Sequence, residues 1–168
     1  RRQNRREDAV ASCRAALALA PDRAEAHSSL GTAFREMGRL DEAVGSYQRA
    51  LSLDQDNTGA HSNLGVALAD MGRLEDAAAS HLKALEIDPG NAEARYNLGL
   101  LHLMAGRFRE GWAGYALRWD LDEYADKPEF PQAPWDGSTL AGKSILVWAE
   151  QGIGDEIMFA GMIPDLIE

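Results

Sequence analysis

The sequence predicts an all-α solenoid of antiparallel helix pairs, followed near its C-terminus by a truncated βα unit. Three observations carry that expectation. Set against itself at a spacing of 34, the 168-residue chain aligns Leu30, Leu64 and Leu98, then Gly31, Gly65 and Gly99, then Gly38, Gly72 and Gly106. Alanines recur in the same register, Ala9, Ala43 and Ala77 and then Ala16, Ala50 and Ala84, with Pro21 and Pro89 closing their units and Gln55 at the middle equivalent. Past residue 140 the pattern changes to a short apolar run, a glycine turn and a resumed helical spacing.

The spacing has a physical basis. Small residues stand where two helices must approach closely, Gly31, Gly65 and Gly99 on the first helix of each pair and Ala43 and Ala77 on the second. Leu30, Leu40, Leu51, Leu64, Leu74, Leu85 and Leu98 recur at helical spacing and fill the space between helices and between pairs. One pair cannot bury its own apolar face, so stacking supplies the core. Gly38, Gly72 and Gly106 fall where a first helix stops, a position that favours left-handed backbone.

Taken in order, residues 5–20 read as the second helix of a unit whose first helix is mostly missing. Full pairs follow at 24–37 with 40–53, 58–71 with 74–87, and 92–105 with 108 to about 119. The last pair departs: Gly111 replaces the column alanine, Arg118 stands in the column of Ala50 and Ala84, and Trp112, Tyr115 and Trp119 add bulk. That pair reads as adapted to touch something other than another repeat. From 120 to 143 the periodicity lapses around Pro128, Pro131 and Pro134, an extended linker. Ser144 to Ala149 is a strand-forming run, Gly152-Ile153-Gly154-Asp155 a turn, and Glu156 to Glu168 helical again, which is the opening of a βαβ unit without its second strand.

The helix-pair pattern resembles the tetratricopeptide repeat, W-x2-L-G-x2-Y, then A-x3-F, then P. The resemblance implies a superhelical solenoid over 1–119, made of a half repeat 1–22 and repeats 23–56, 57–90 and 91–119, with a peptide or protein partner in its concave groove. On the first helices, Ser29, Asn63 and Asn97 share one column, which resembles the asparagine ladder of the O-linked N-acetylglucosamine transferase repeats. A carboxamide both donates and accepts, which suits an extended backbone read without regard to sequence. Asparagines hydrogen-bonded within their own helix pair are the alternative. Neighbouring groove positions are Thr32, Val66, Asp70, Tyr96, Leu100 and Met104, with Glu25, Ser28, Glu36 and Ser62 beside them.

A second resemblance covers the tail. Pro134-Trp135-Asp136-Gly137, Leu140-Ala141-Gly142-Lys143 and Glu150-Gln151-Gly152-Ile153-Gly154-Asp155, with Phe159 and Pro164, are similar to the start of the bacterial glycosyltransferase domain that follows such repeats. That domain is akin to the heptosyltransferases of glycosyltransferase family 9, with the two-Rossmann GT-B fold. The resemblance implies Asp155 as a general base toward an acceptor hydroxyl; its place before the helix at Glu156 equally suits an N-cap, and one residue can do both. The family's serine-containing segment is replaced here by Glu150-Gln151. The nucleotide-sugar half of a GT-B enzyme is not in these residues, so no cofactor is expected and the chain itself is expected to be inactive.

Composition narrows the partners. With 27 acidic against 17 basic side chains the net charge is -10, which disfavours nucleic acid and anionic membranes. The Arg1-Arg2 and Arg5-Arg6 run reads as a solvated helix end, and no apolar stretch is long enough to span a bilayer. A single cysteine, Cys13, rules out a disulfide framework and reads as a buried thiol. His27, His61, His81 and His102 fall in columns where the repeat has aromatic residues and read as packing groups, with no metal site. The reading places the protein in a bacterial cytoplasm as a piece of something longer, the chain opening on Arg1 inside a repeat, with self-association through the strand-forming residues 144–149.

Overall fold

The computed structural model describes residues 2–121, and these form seven α-helices and a short 3-10 turn. In chain order they are α1 (Arg2–Leu19), α2 (Ala24–Glu36), α3 (Leu40–Leu53), α4 (Thr58–Asp70), α5 (Leu74–Ile87), α6 (Ala92–Met104) and α7 (Phe108–Tyr115), with the 3-10 turn at Ala116–Asp120. Each helix packs on the next in sequence, and α2, α4 and α6 also touch one another along an inner layer. The expected linker at 120–143 lies, but for its first residues, outside the described residues, as do the whole βα unit at 144–168, Asp155 and the pairing segment 144–149. Among the described residues no helix is long and apolar enough to cross a membrane.

Local chemistry sets the helix ends. Gly38, Gly72 and Gly106 have φ of 73°, 76° and 72°, the left-handed conformation that a side chain resists. Each closes the same motif: the Arg39 N–H donates to Phe34 O (2.9 Å) and Gly38 N–H to Arg35 O (2.9 Å), repeated by Arg73 and Gly72 and again by Arg107 and Gly106. At the start of α4 and α6, the side-chain oxygens of Asn57 and Asn91 accept from Ala60 N–H (2.9 Å) and Ala94 N–H (2.8 Å).

The small-residue columns do what their spacing requires. Ala43, Ala50, Ala77 and Ala84 are wholly buried. A Cβ built on Gly31 would fall 2.8 Å from the Tyr47 ring, and one on Gly65 would fall 2.7 Å from the His81 ring, so each glycine is the floor on which the opposing ring lies. Tyr47, His81 and Phe34 are buried with Leu30, Leu64 and Leu68 around them. Cys13, the equivalent of Tyr47 and His81, is only half-buried, correcting the expectation of a buried thiol. Among the described helices α1 packs on α2, which covers one side of it and leaves the Cys13 side chain partly open.

The third pair is built differently. Gly111 and Gly114 on α7 let it sink onto α6: a Cβ on Gly99 would lie 2.7 Å from Gly114 Cα, and one on Gly111 would lie 2.5 Å from the Leu103 side chain. Backbone therefore meets backbone where the earlier pairs insert a ring. Nor does α7 continue to about residue 119 as expected; it tightens to 3-10 at Ala116. The slot that Ala50 and Ala84 fill with no exposure cannot take Arg118, which instead lies with its guanidinium 4.4 Å from the Tyr115 ring centroid.

Candidate functional site

The residues singled out on the first helices occupy one stripe of α2, α4 and α6. Asn63 and Asn97 are half-buried and Ser29 is exposed. Neither asparagine side chain makes a hydrogen bond among the described residues, and neither carboxamide is sealed from solvent. The alternative, asparagines hydrogen-bonded within their own helix pair, therefore has no bond to support it.

The flanking columns are not uniform. In one, Thr32, Val66 and Leu100 are all half-buried; the Thr32 hydroxyl is engaged, 3.1 Å from the Tyr47 hydroxyl and donating to Ser28 O at 3.3 Å. In the next, Glu36 and Asp70 are exposed and carry distant ion pairs, Glu36 to Arg6 at 3.7 Å and Asp70 to Arg35 at 3.7 Å, while Met104 is 67% exposed. Pairs of that exposure contribute at most about 1 kcal/mol. Ser62, expected beside the groove, is buried at 1% exposure and is withdrawn from it. Its column-mate Tyr96 is half-buried, with its ring 5.8 Å from that of Tyr115.

Tyr115 was not foreseen at this face. Its equivalents Tyr47 and His81 are buried, but the Gly99–Gly114 contact displaces it toward Tyr96, where Trp112 meets it edge-on at 5.6 Å. Trp112 (53% exposed) and Phe108 (63% exposed) continue this aromatic end outward. The signal in the sequence was Gly114, standing where the earlier pairs have Ser46 and Ser80. Arg35 was also missed; its guanidinium stands 3.7 Å from Asp70 on the next first helix.

The histidines divide. His81 packs as expected, and burial pushes its imidazole pKa down to about 4. His27 and His61 correct the expectation: their Nε2 atoms donate to Pro21 O (2.8 Å) and Gln55 O (3.0 Å), tying each loop to the helix that follows it. Arg95, in the same column, donates to Pro89 O. The column thus holds a loop clasp six residues long, repeated in each pair. Among the described residues no three His, Cys, Asp or Glu side chains group closely enough to hold a metal ion.

A model of the TPR repeat family matches residues 31–72 and 67–106. Protein FlbA of Caulobacter vibrioides is 44% identical over 61 residues, which is 35% of this chain but 10% of that protein's length. The crystal structure of MamA superposes with a TM-score of 0.62 at 26% identity, covering 71% of this chain and 70% of MamA. The first TPR domain of Spaghetti (RPAP3), bound to the HSP90 peptide SRMEEVD, gives 0.59 at 21% identity, covering 62% of this chain and 83% of that one. The described helices form an all-helical, TPR-like solenoid, and at 21% identity the Spaghetti likeness shows the fold alone.

Proposed function

We propose that this stack of TPR repeats holds a peptide or protein partner in extended form along the stripe of α2, α4 and α6. The observation that carries the reading is the pair of carboxamides at Asn63 and Asn97, one repeat apart, half-buried and with no hydrogen bond among the described residues. Each can donate to a peptide carbonyl and accept from a peptide N–H, whatever side chains the peptide bears. Half-burial keeps water competition low, while leaving the amides reachable. The repeat fold itself supports the reading, since structurally similar TPR domains are known with peptide bound.

The test replaces both residues with alanine. Affinity for peptides selected from a displayed random library should fall roughly tenfold to thirtyfold, two net hydrogen bonds of about 1 kcal/mol each, while the melting temperature hardly moves. A double variant that melts early but binds unchanged would make the asparagines structural.

A second reading rests on the tail motifs from Pro134 to Pro164, which resemble a glycosyltransferase opening. In it the repeats select the acceptor of a larger bacterial, cytoplasmic transferase, with Asp155 as general base. Transfer by the full-length gene product, abolished by Asp155→Asn without loss of folding, is the expected result; transfer undiminished in that variant ends the reading.

A further inference from the structure

Following the stripe from α2 to α6, the same columns change character in the same direction. Thr32 gives way to Val66 and then Leu100; Arg35 to Ala69 and then Leu103; Glu36 to Asp70 and then Met104; Ser28 to Ser62 and then Tyr96. Two columns that reach solvent, Thr32–Val66–Leu100 and Glu36–Asp70–Met104, therefore run from polar to apolar along the stack, although the repeat spacing and helix geometry that place them stay constant; in the other two, Ser62 is buried and Leu103 lies against Gly111. Structure does not demand this at the exposed positions: Glu36, Asp70 and Met104 are equivalent in register, and a methionine 67% exposed contributes little to its own core. At the α6 end the apolar surface is extended by Tyr115, which the Gly99–Gly114 contact displaces to within 5.8 Å of the Tyr96 ring.

Charge adds a sign. In these columns Glu36 and Asp70 are carboxylates, each with one arginine 3.7 Å away, Arg6 and Arg35. An acidic ligand would have to face both carboxylates and share those two arginines with them, within a chain of net charge -10.

We infer that the groove reads its ligand by this gradient: it takes an extended peptide that seats an apolar side chain at α6, against Leu100, Met104 and Tyr96, and lays a polar, non-acidic stretch over α4 and α2. The inference rests on the peptide-binding reading and adds direction and composition to it. Asn63 and Asn97 hold the backbone between the two ends, so the apolar anchor sets the register and the polar stretch sets the exclusion of acidic sequences.

The experiment selects displayed random peptides on the full chain and measures the retained peptides by fluorescence anisotropy. The synthetic peptide SRMEEVD serves as an acidic probe. Two variants accompany it, Met104→Ser, at an exposed position that folding does not depend on, and Leu100→Thr with Met104→Glu, which gives α6 the residues of α2. Retained peptides should be enriched in Leu, Met, Ile or Phe near one end and depleted in Asp and Glu; their affinity should drop about tenfold in the double variant and severalfold in Met104→Ser; SRMEEVD should bind at least tenfold more weakly than they do. If peptides are retained but show no apolar enrichment, or bind both variants undiminished, or if SRMEEVD binds as well as they do, the gradient is overturned and the peptide-binding reading stands. If no peptide is retained at all, the peptide-binding reading fails and takes this inference with it.

Discussion

Gly99 and Gly114 meet backbone to backbone: a Cβ on Gly114 would fall 2.6 Å from Gly99 Cα and 2.9 Å from Arg95 O. Neither obstacle is a movable side chain, so Gly114→Ala forces α6 and α7 apart and should cost more than ~1 kcal/mol. Gly45 is the internal control. It lies exposed in α3 with open space where its Cβ would be, and Gly45→Ala should stabilise by roughly 0.5–1 kcal/mol through helix propensity. Urea titrations of both variants check the pair; equal effects of one sign would remove the contact from any account of the third repeat.

Gly65 is closed by a ring rather than by backbone, with a built Cβ 2.7 Å from His81 Cε1. His81 is itself buried at 1% exposure and has nowhere to swing. Gly65→Leu should therefore cost well over ~1 kcal/mol, whereas exposed Glu75→Gln should stay within about 0.5 kcal/mol. Thermal melts giving the opposite order would overturn the register of the repeat.

Burial holds the His81 pKa near 4, below the ordinary value of 6.5. The unfolded chain then binds a proton that the folded chain refuses throughout that window. Stability from this group is present in full above pH 6.5 and is lost as pH falls toward 4, by at most ~3 kcal/mol. His81→Phe removes the titration and also removes Nδ1, a buried nitrogen with no hydrogen-bond partner. Comparing melts at pH 7.5 and 5.5, the variant should lose less stability than the parent; identical losses would show that other groups set the acid sensitivity.

The loop clasp from His61 Nε2 to Gln55 O, 3.0 Å long, predicts a local effect. His61→Ala should cost about 1 kcal/mol and raise amide hydrogen exchange at residues 54–57 more than in α5. His61→Gln, which can still donate, should recover part of the loss. Uniform exchange changes across the stack would mean the clasp does not act on its own loop.

What the sequence determined by itself is what depends on near neighbours along the chain. Gly38, Gly72 and Gly106 mark helix ends because a left-handed residue and two backbone bonds within six residues make that motif. The start and end of α3 and α5, and the burial of Ala43, Ala50, Ala77 and Ala84, follow from the 34-residue spacing. The tertiary structure decided what depends on how closely helices approach. Gly114, where the earlier pairs have Ser46 and Ser80, leaves the helical pattern intact, yet it lowers α7 onto α6 and sends Tyr115 to Tyr96 instead of into the core. Ser28, Ser62 and Tyr96 are one column in sequence, but Ser62 is buried while the other two are half-exposed. His27 and His61 stand in an aromatic column, yet they hold loop carbonyls, because a ring nitrogen bonds whichever acceptor the folded chain brings within 3 Å of it. Spacing fixes which residues share a face; only distances between helices fix which of them the solvent, or a partner, can reach.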